Sequence, residues 1–236
     1  MNADLNAELL VVEDVTLLLL DDEKGTMASS PAMHYVLGGA LLIELALLGR
    51  AEMAPPESRW KAAKVRSVPG DPLIDPLLAD GFATLDEQPR GAQQILSRLG
   101  HRLQPKVSER LADRGLVERK ESRIFGLFPT TAWPAADQLH EDNLRQEIED
   151  ALVRGLTPNP RTASIIALLS GANLLNVLVH SDSRKDKQVK QRAKAIEDGD
   201  WGASMVSDAV AAASAAIAAS TAAAIGVAVS TITASS

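Results

Sequence analysis

The sequence predicts a mostly α fold, a single helical domain with one small β-hairpin. Residues 36–49 and 161–179 are apolar on nearly every side of a helix, which indicates two helices buried around most of their circumference. Residues 105–128 contain a helical pattern, a glycine and two apolar-rich stretches, the order in which winged-helix modules end. We place the domain at residues 1–222 and predict that the Ala/Ser/Thr-rich residues 223–236 form a disordered tail.

The first two elements are predicted as helices. Residues 8–20 have apolar positions too dense for a half-exposed strand, so a helix is favoured, with a buried strand as the alternative. The turn-forming residues 21–25 end it. Pro31 suits the first turn of the next helix, where its missing N–H costs nothing. That helix contains residues 36–49, with Glu44 as its one carboxylate.

A short piece at residues 60–68, either irregular or strand-like, is followed by a proline-rich turn. Asp71 is predicted to cap a helix whose first residue is Pro72, because aspartate at N-cap and proline at N1 are favoured there. Residues 91–99 are predicted to form an amphipathic helix.

The winged-helix-like piece begins at Pro105. A helix over residues 105–114 is closed by Gly115, since glycine readily takes the left-handed conformation after a helix. Residues 116–119 and 124–128 are predicted as the two strands of the hairpin, joined by the polar residues 120–123.

The C-terminal third is predicted to be helical. Residues 139–153 indicate a surface helix, and residues 184–197 indicate a basic amphipathic helix whose inward stripe is Val189, Ala193 and Ile196. Residues 209–236 carry no charge but contain no Leu or Phe, so we expect a last core helix to about residue 222 rather than a membrane anchor.

Charge is distributed unevenly along the chain. The net charge is −7, yet bases gather at residues 59–66, 98–120 and 184–194. Such clusters can orient a protein on an anionic membrane, although they are also compatible with ordinary solvated faces. With no cysteine, neither a disulfide nor a thiolate metal site can form, and we expect a cytoplasmic protein.

No pattern of catalytic or metal-binding residues is present. The four histidines are each isolated from a second ligand at metal spacing, and no nucleophile can be named together with a base. Gly38-Gly39 lacks the Lys and Ser/Thr of a phosphate-binding loop and is typical of a close helix crossing. We therefore expect no enzyme activity, no cofactor and no metal.

Several short motifs follow one another over roughly residues 9–215, and the most specific is Ile43-Glu44-Leu45-Ala46-Leu47 with Gly49-Arg50. The other motifs are Leu17 to Leu20 before an acidic turn, Gly70-Asp71 with Asp75, Glu109-Arg110-Leu111-Ala112 with Gly115, Phe125 to Phe128 with Thr130-Thr131, and Arg161 before Ala167-Leu168-Leu169. In this order the motifs resemble the Golgi phosphoprotein 3 family, and the acidic, Ala-rich composition resembles its bacterial branch.

The resemblance implies a helical domain with a protruding hairpin, peripheral to a membrane and without catalysis. Eukaryotic members recognise the phosphatidylinositol 4-phosphate headgroup and the cytosolic tails of Golgi enzymes. Their headgroup pocket uses one tryptophan and three arginines. By motif spacing, the four corresponding positions in this chain are Ser29, Gly38, Pro105 and Ser108. None of these four residues keeps the required chemistry, because phosphate recognition favours arginine.

Basic residues remain beside the second half of that pocket. We predict that Arg102, Lys106 and Arg110, with His101 nearby, bind an anion or a lipid headgroup. Lys106 and Arg110 are four residues apart on one helix face, close to the N–H groups of the helix start. Ordinary surface charge balanced by Glu109 and Asp113 is the alternative.

Two functions from different classes remain open. The first is a non-enzymatic adaptor, peripheral to the inner face of a membrane, that binds anionic lipid or protein tails. Its hairpin is compatible with forming a homo-oligomer, with inserting into lipid and with packing on its own core. The alternative is a winged-helix-type DNA-binding or regulatory protein. The net charge of −7 argues against nucleic acid, because affinity for a duplex depends on neutralising its phosphates.

Overall fold

The computed structural model describes residues 8–27, 33–54, 64–85, 88–124, 128–178 and 183–198, and these residues are mostly helical. The helices within them are α1 (Val11–Leu19), α2 (Met33–Leu47), α3 (Pro76–Phe82), α4 (Ala92–Gly100), α5 (Leu103–Asp113), α6 (Leu139–Leu152), α7 (Pro160–Gly171) and α8 (Ser183–Glu197). The strands are β1 (Ala51–Ala54), β2 (Lys64–Ser67), β3 (Arg90–Gly91), β4 (Lys120–Ile124) and β5 (Phe128–Ala132). The prediction of a mostly α fold is confirmed.

The two apolar stretches form buried helices, as predicted. α2 is buried from Val36 to Leu45, and α7 is buried from Thr162 to Leu169. α7 ends at Gly171, earlier than predicted, because Asn173 takes a left-handed conformation with φ 62° that terminates the helix. A short 3₁₀ turn at Leu175–Val177 follows.

The first segment, for which both a helix and a buried strand were considered, forms helix α1. All nine of its residues are buried, including Glu13 and Asp14. It packs against α2, α5, α6 and α7, so two carboxylates lie in the centre of the helical assembly.

Gly38 and Gly100 bring α2 and α4 into close contact, which confirms the predicted helix crossing. A Cβ atom on Gly38 would lie 2.2 Å from the Leu96 carbonyl oxygen. A Cβ atom on Gly100 would lie 1.6 Å from the His34 carbonyl oxygen. The start of α2 therefore lies against the end of α4, with no room for a side chain between the two main chains.

Helix α3 begins four residues later than predicted. Asp75, not Asp71, is its N-cap, and the Asp75 carboxylate accepts from the N–H groups of Leu77 and Leu78 at 2.8 and 3.2 Å. Pro76 occupies the first position. The prediction of an aspartate N-cap followed by a proline is correct, but the pair that starts the helix is Asp75-Pro76 and not Asp71-Pro72.

The strands form two small antiparallel sheets. One has the order β1-β2-β3, and the other is the hairpin β4-β5, in which Lys120 pairs with Ala132 and Ile124 with Phe128. The predicted hairpin exists, but its predicted register is wrong, because residues 120–123 lie in a strand rather than in the turn.

Gly25 joins the base of the hairpin to the end of α1. Its φ of +60° is a left-handed conformation, and its carbonyl accepts from the Trp133 N–H at 2.7 Å. A Cβ atom there would lie within 2.4 Å of the Trp133 and Pro134 main chain, so this contact requires glycine.

Helices α4, α6 and α8 agree with their predictions to within one residue at each end. α6 buries Leu144, Ile148 and Leu152, and α8 buries Val189, Ala193 and Ile196. No helix among the described residues is long and apolar enough to cross a membrane. Residues 199–236 lie outside the described residues, so the domain boundary at residue 222 and the disordered tail stay predictions.

Candidate functional site

The predicted anion site lies where α4 turns into α5. Arg98 is in the last turn of α4, and His101 and Arg102 connect the two helices. Helix α5 begins at Leu103, two residues before the predicted start at Pro105, and Arg102 is its N-cap with a left-handed φ of 53°. Arg98, His101, Arg102 and Lys106 are all exposed, and we name these four residues the α4–α5 corner.

The α4–α5 corner contains cations that are not neutralised within the fold. Among the residues that the structure describes, Arg98 and Arg102 make no ion pair, whereas Lys106 lies 3.2 Å from the Asp80 carboxylate. No side chain caps the first N–H groups of α5. Two exposed guanidinium groups without an ion pair therefore lie four residues apart in sequence, one in the last turn of α4 and one at the positive end of the α5 dipole.

Arg110, the third predicted ligand, points toward the interior. Its Nε atom donates to Glu13 at 2.9 Å, and its Nη2 atom donates to Asp75 at 2.5 Å. Burial acts to lower the pKa of Arg110, but the hydrogen bond with Asp75 and the charge of Glu13 outweigh it, so the pKa is raised. The structure thus leaves Arg102 and Lys106 exposed in the first turn of α5 and places the Arg110 guanidinium against the carboxylates of Glu13 and Asp75.

Beneath this surface lies a cluster of buried charges, which we name the carboxylate network. Its acids are Glu13, Asp14 and Glu44, with side chains 0%, 3% and 10% exposed. Its cations are Arg110, Arg114, His140 and Arg161. Burying a charge is costly unless it is paired, and each of these carboxylates has a cation within hydrogen-bonding distance.

Arg161 holds the centre of the carboxylate network. It lies at the start of α7 and donates to Asp14 at 2.9 Å and to Glu44 at 3.3 Å, while its third nitrogen donates to the Leu9 carbonyl. Glu44 also accepts from the Val11 N–H at 2.6 Å. One guanidinium therefore ties α7 to α1, α2 and the chain entering α1.

His140 reaches the same network from the start of α6. Its Nε2 atom lies 2.8 Å from the Asp14 carboxylate. This hydrogen bond raises the pKa of His140, against partial burial and the nearby positive charges of Arg161 and Arg114, which lower it. When it is protonated, the imidazole contributes a positive charge next to a buried aspartate.

Two of the four positions that the resemblance assigns to the headgroup pocket, Gly38 and Ser108, are buried in this fold. Gly38 is buried against α4, and Ser108 is fully buried with its hydroxyl lacking a hydrogen-bond partner. Pro105 is exposed in the first turn of α5, and Ser29 lies outside the described residues. A headgroup could not reach Gly38 or Ser108 without separating the helices.

Two clefts lie elsewhere on the described surface. One of about 270 Å³ is lined by residues including Glu147, Asp150 and Leu156, and one of about 410 Å³ by residues including Glu52 and Arg66. Neither includes a residue of the α4–α5 corner. Within the described residues, no group of three or more His, Asp or Glu side chains is placed to hold a metal ion.

Within the described residues, the fold is a helical core with a small hairpin and internal Arg–carboxylate pairs. The family model described as Golgi phosphoprotein 3 (GPP34) matches residues 11–213, and the chain belongs to this family. Among individual proteins, the chain is similar to vacuolar protein sorting-associated protein 74 of Eremothecium gossypii, with 29% identity over 228 residues. That match covers 79% of this chain and 66% of the relative, so the chain spans slightly less than two thirds of that protein's length.

Sequence reasoning missed the carboxylate network. Asp14 and Arg161 are 147 residues apart, and Glu13 and Arg110 are 97 apart, so no local spacing connects them. A signal was present, however. An isolated carboxylate such as Glu44 within an apolar helix requires a buried cation, and an arginine at the start of another apolar helix is a suitable partner.

Proposed function

We propose that the protein is a non-enzymatic adaptor that attaches peripherally to the anionic, inner face of a membrane from the cytoplasm and there binds the tails of membrane proteins. Membership of the Golgi phosphoprotein 3 family supports this proposal, as does the similarity to a protein named for vacuolar protein sorting. The observation that carries the membrane part is the pair of unneutralised guanidinium groups of Arg98 and Arg102.

The α4–α5 corner suits a surface of negative headgroups. Each basic residue near an anionic leaflet contributes roughly 1 kcal/mol. Arg98 and Arg102 are available without breaking an internal pair, whereas Lys106 would have to exchange Asp80 for lipid. Arg110 would have to leave Glu13 and Asp75, so in this proposal it positions α5 and does not contact lipid.

The ligand is expected to be negative charge rather than one particular headgroup. Selective phosphate binding needs several donors converging in an accessible recess. Gly38 has no side-chain donor, and the hydroxyl of Ser108 is fully buried. We therefore expect equal binding to phosphatidylglycerol and phosphatidylinositol 4-phosphate vesicles when the surface charge is matched.

Vesicle flotation tests the proposal. Wild-type protein is expected to float with anionic vesicles at low salt and to remain unbound in the bottom fraction with neutral phosphatidylcholine vesicles. It should dissociate from anionic vesicles at physiological salt, where the Debye length falls to about 8 Å. R98Q/R102Q should bind about 30-fold more weakly, because two contributions of roughly 1 kcal/mol are lost. The matched control is K24Q/R66Q, which removes two cations that already have partners, Asp21 and Glu52.

Two results would contradict the proposal. One is the absence of salt-sensitive flotation, and the other is equal binding by R98Q/R102Q and wild type. A preference for phosphatidylinositol 4-phosphate at matched charge would instead show that a specific pocket exists.

No observation favours the winged-helix alternative. Helices α4 and α5 and the hairpin follow the order of that module, but Glu109 and Asp113 are exposed on α5, while Lys106 and Arg110 are paired with carboxylates. Tight duplex binding in a gel-shift assay would favour the winged-helix function over the membrane adaptor. Homo-oligomer formation through the hairpin stays a prediction, which analytical ultracentrifugation of wild-type protein would check.

A further inference from the structure

Helix α8 has two opposite stripes of different character. Val189, Ala193 and Ile196 form a buried stripe, and α8 packs against α7 and α6. Lys187, Lys190 and Lys194 are exposed, at the spacing i, i+3, i+7 that places them on one side of a helix. The fold thus presents a row of lysines about 10 Å long to solvent.

Most cations on the described surface have internal partners, and α8 departs from this pattern. Lys24, Arg66 and Arg154 are each paired with a carboxylate on the same or a neighbouring element. Within the described residues, Lys187 and Lys190 make no ion pair, whereas Lys194 is paired with Glu197 and Asp198 at the helix end. The free positive charge of α8 is therefore at Lys187 and Lys190.

Arg192 fixes which side of α8 faces outward. Its Nε atom donates to the Ala151 carbonyl and its Nη2 atom to the Leu156 carbonyl, each at 3.4 Å. The guanidinium thereby joins α8 to the end of α6 and the following loop. Together with the buried stripe, this contact holds the lysine row on the outside.

We propose that the outer face of α8, represented by Lys187 and Lys190, is a second docking surface for an anionic membrane, distinct from the α4–α5 corner. The proposal rests on the proposed function only in taking a membrane as the ligand. Each lysine is a compact charge on a flexible stem, which suits a fluid array of headgroups better than one fixed phosphate.

Charge complementarity is the only attraction that this face offers. None of the large apolar side chains exposed on the described surface lies on α8; they are Leu48, Ile74, Leu139, Val153 and Leu156. Attachment is therefore expected to be electrostatic and salt-sensitive, without insertion of side chains into the hydrocarbon. A duplex is a poorer partner, because the chain carries a net charge of −7 and α8 ends in Glu197 and Asp198.

The test compares variants of the full chain by flotation with phosphatidylglycerol vesicles at low salt. K187Q/K190Q should bind about 30-fold more weakly, since each lysine near an anionic leaflet contributes roughly fivefold. K187R/K190R, which keeps the charge, should bind like wild type. K24Q/R66Q is again the charge-matched control. Because both lysines are exposed, the melting temperature of every α8 variant should equal that of wild type.

The outcomes separate this inference from the proposed function. Unchanged binding by K187Q/K190Q overturns the inference, and it leaves the proposed function standing if R98Q/R102Q still binds weakly. Weak binding by K187Q/K190Q together with normal binding by R98Q/R102Q supports the inference and rejects the corner. Absence of vesicle binding by the wild-type protein overturns both. If the wild-type protein binds a DNA duplex and K187Q/K190Q loses that binding while it still binds vesicles, α8 is a nucleic-acid surface and the inference is wrong.

Discussion

Replacing Arg161 with methionine should cost more stability than any change of a surface cation. Methionine keeps the aliphatic part of the side chain but removes the guanidinium, which leaves Asp14 and Glu44, 3% and 10% exposed, without the cation between them. Removing one partner of a buried ion pair costs about 3–5 kcal/mol, because the remaining charge is buried without compensation. For a chain of this size that loss lowers the melting temperature by roughly 6–20 °C.

Urea unfolding followed by far-ultraviolet circular dichroism measures this loss. The control is R154M, whose pair with Asp150 is half exposed and should contribute less than about 1 kcal/mol. In the triple variant R161M/D14N/E44Q the buried charges are absent, so it should be more stable than R161M alone. A loss of less than about 1 kcal/mol in R161M, similar to that of R154M, would refute the idea that Arg161 neutralises buried carboxylates.

Three further predictions follow from the same contacts. G38A should destabilise the protein by about 1–3 kcal/mol in urea unfolding, because its Cβ atom has no space against α4, whereas G91A, which has open space, should be close to neutral. H140Q should remove a pH dependence of the melting temperature. The pKa of His140 is raised by Asp14, so its stabilisation is complete below the unfolded value of about 6.5 and is lost as pH rises through the folded value. D75A should lower the unfolding free energy by at least about 1–2 kcal/mol, because it removes the α3 cap and also the Asp75 partner of Arg110. A change below about 0.3 kcal/mol in urea unfolding would show that neither contact matters for stability.

The sequence predicted those elements whose signal is local. α2 and α7 are apolar on every side, and that property alone requires burial, so both were found. The start of α3 was missed because Asp71-Pro72 and Asp75-Pro76 are equivalent as local signals. What distinguishes them is tertiary, since the Asp75 carboxylate also accepts a hydrogen bond from Arg110, 35 residues away.

The hairpin register was missed for a different reason. An apolar pattern determines register only where one face of a strand is buried, because a slip by one residue then moves the apolar side chains into solvent. Lys120 and Glu121, at the start of β4, are exposed, and β4 pairs only with β5 among the described strands. The apolar residues around this stretch therefore indicated a hairpin without placing its turn.

The family motifs and the proposed membrane contacts belong to different residues, and this has a consequence for mutagenesis. Glu44, Arg110 and Arg161, which carry the resemblance, are partners in the carboxylate network, whereas Arg102 and Lys187 lie outside it. Removing Arg110 leaves Glu13 with one fewer cation and should unfold a fraction of the protein. Weak vesicle binding by R110A would then reflect less folded protein, not a lost headgroup contact. Flotation normalised to the folded fraction distinguishes the two explanations, and R110A should bind like wild type on that scale, while R98Q/R102Q should remain weak.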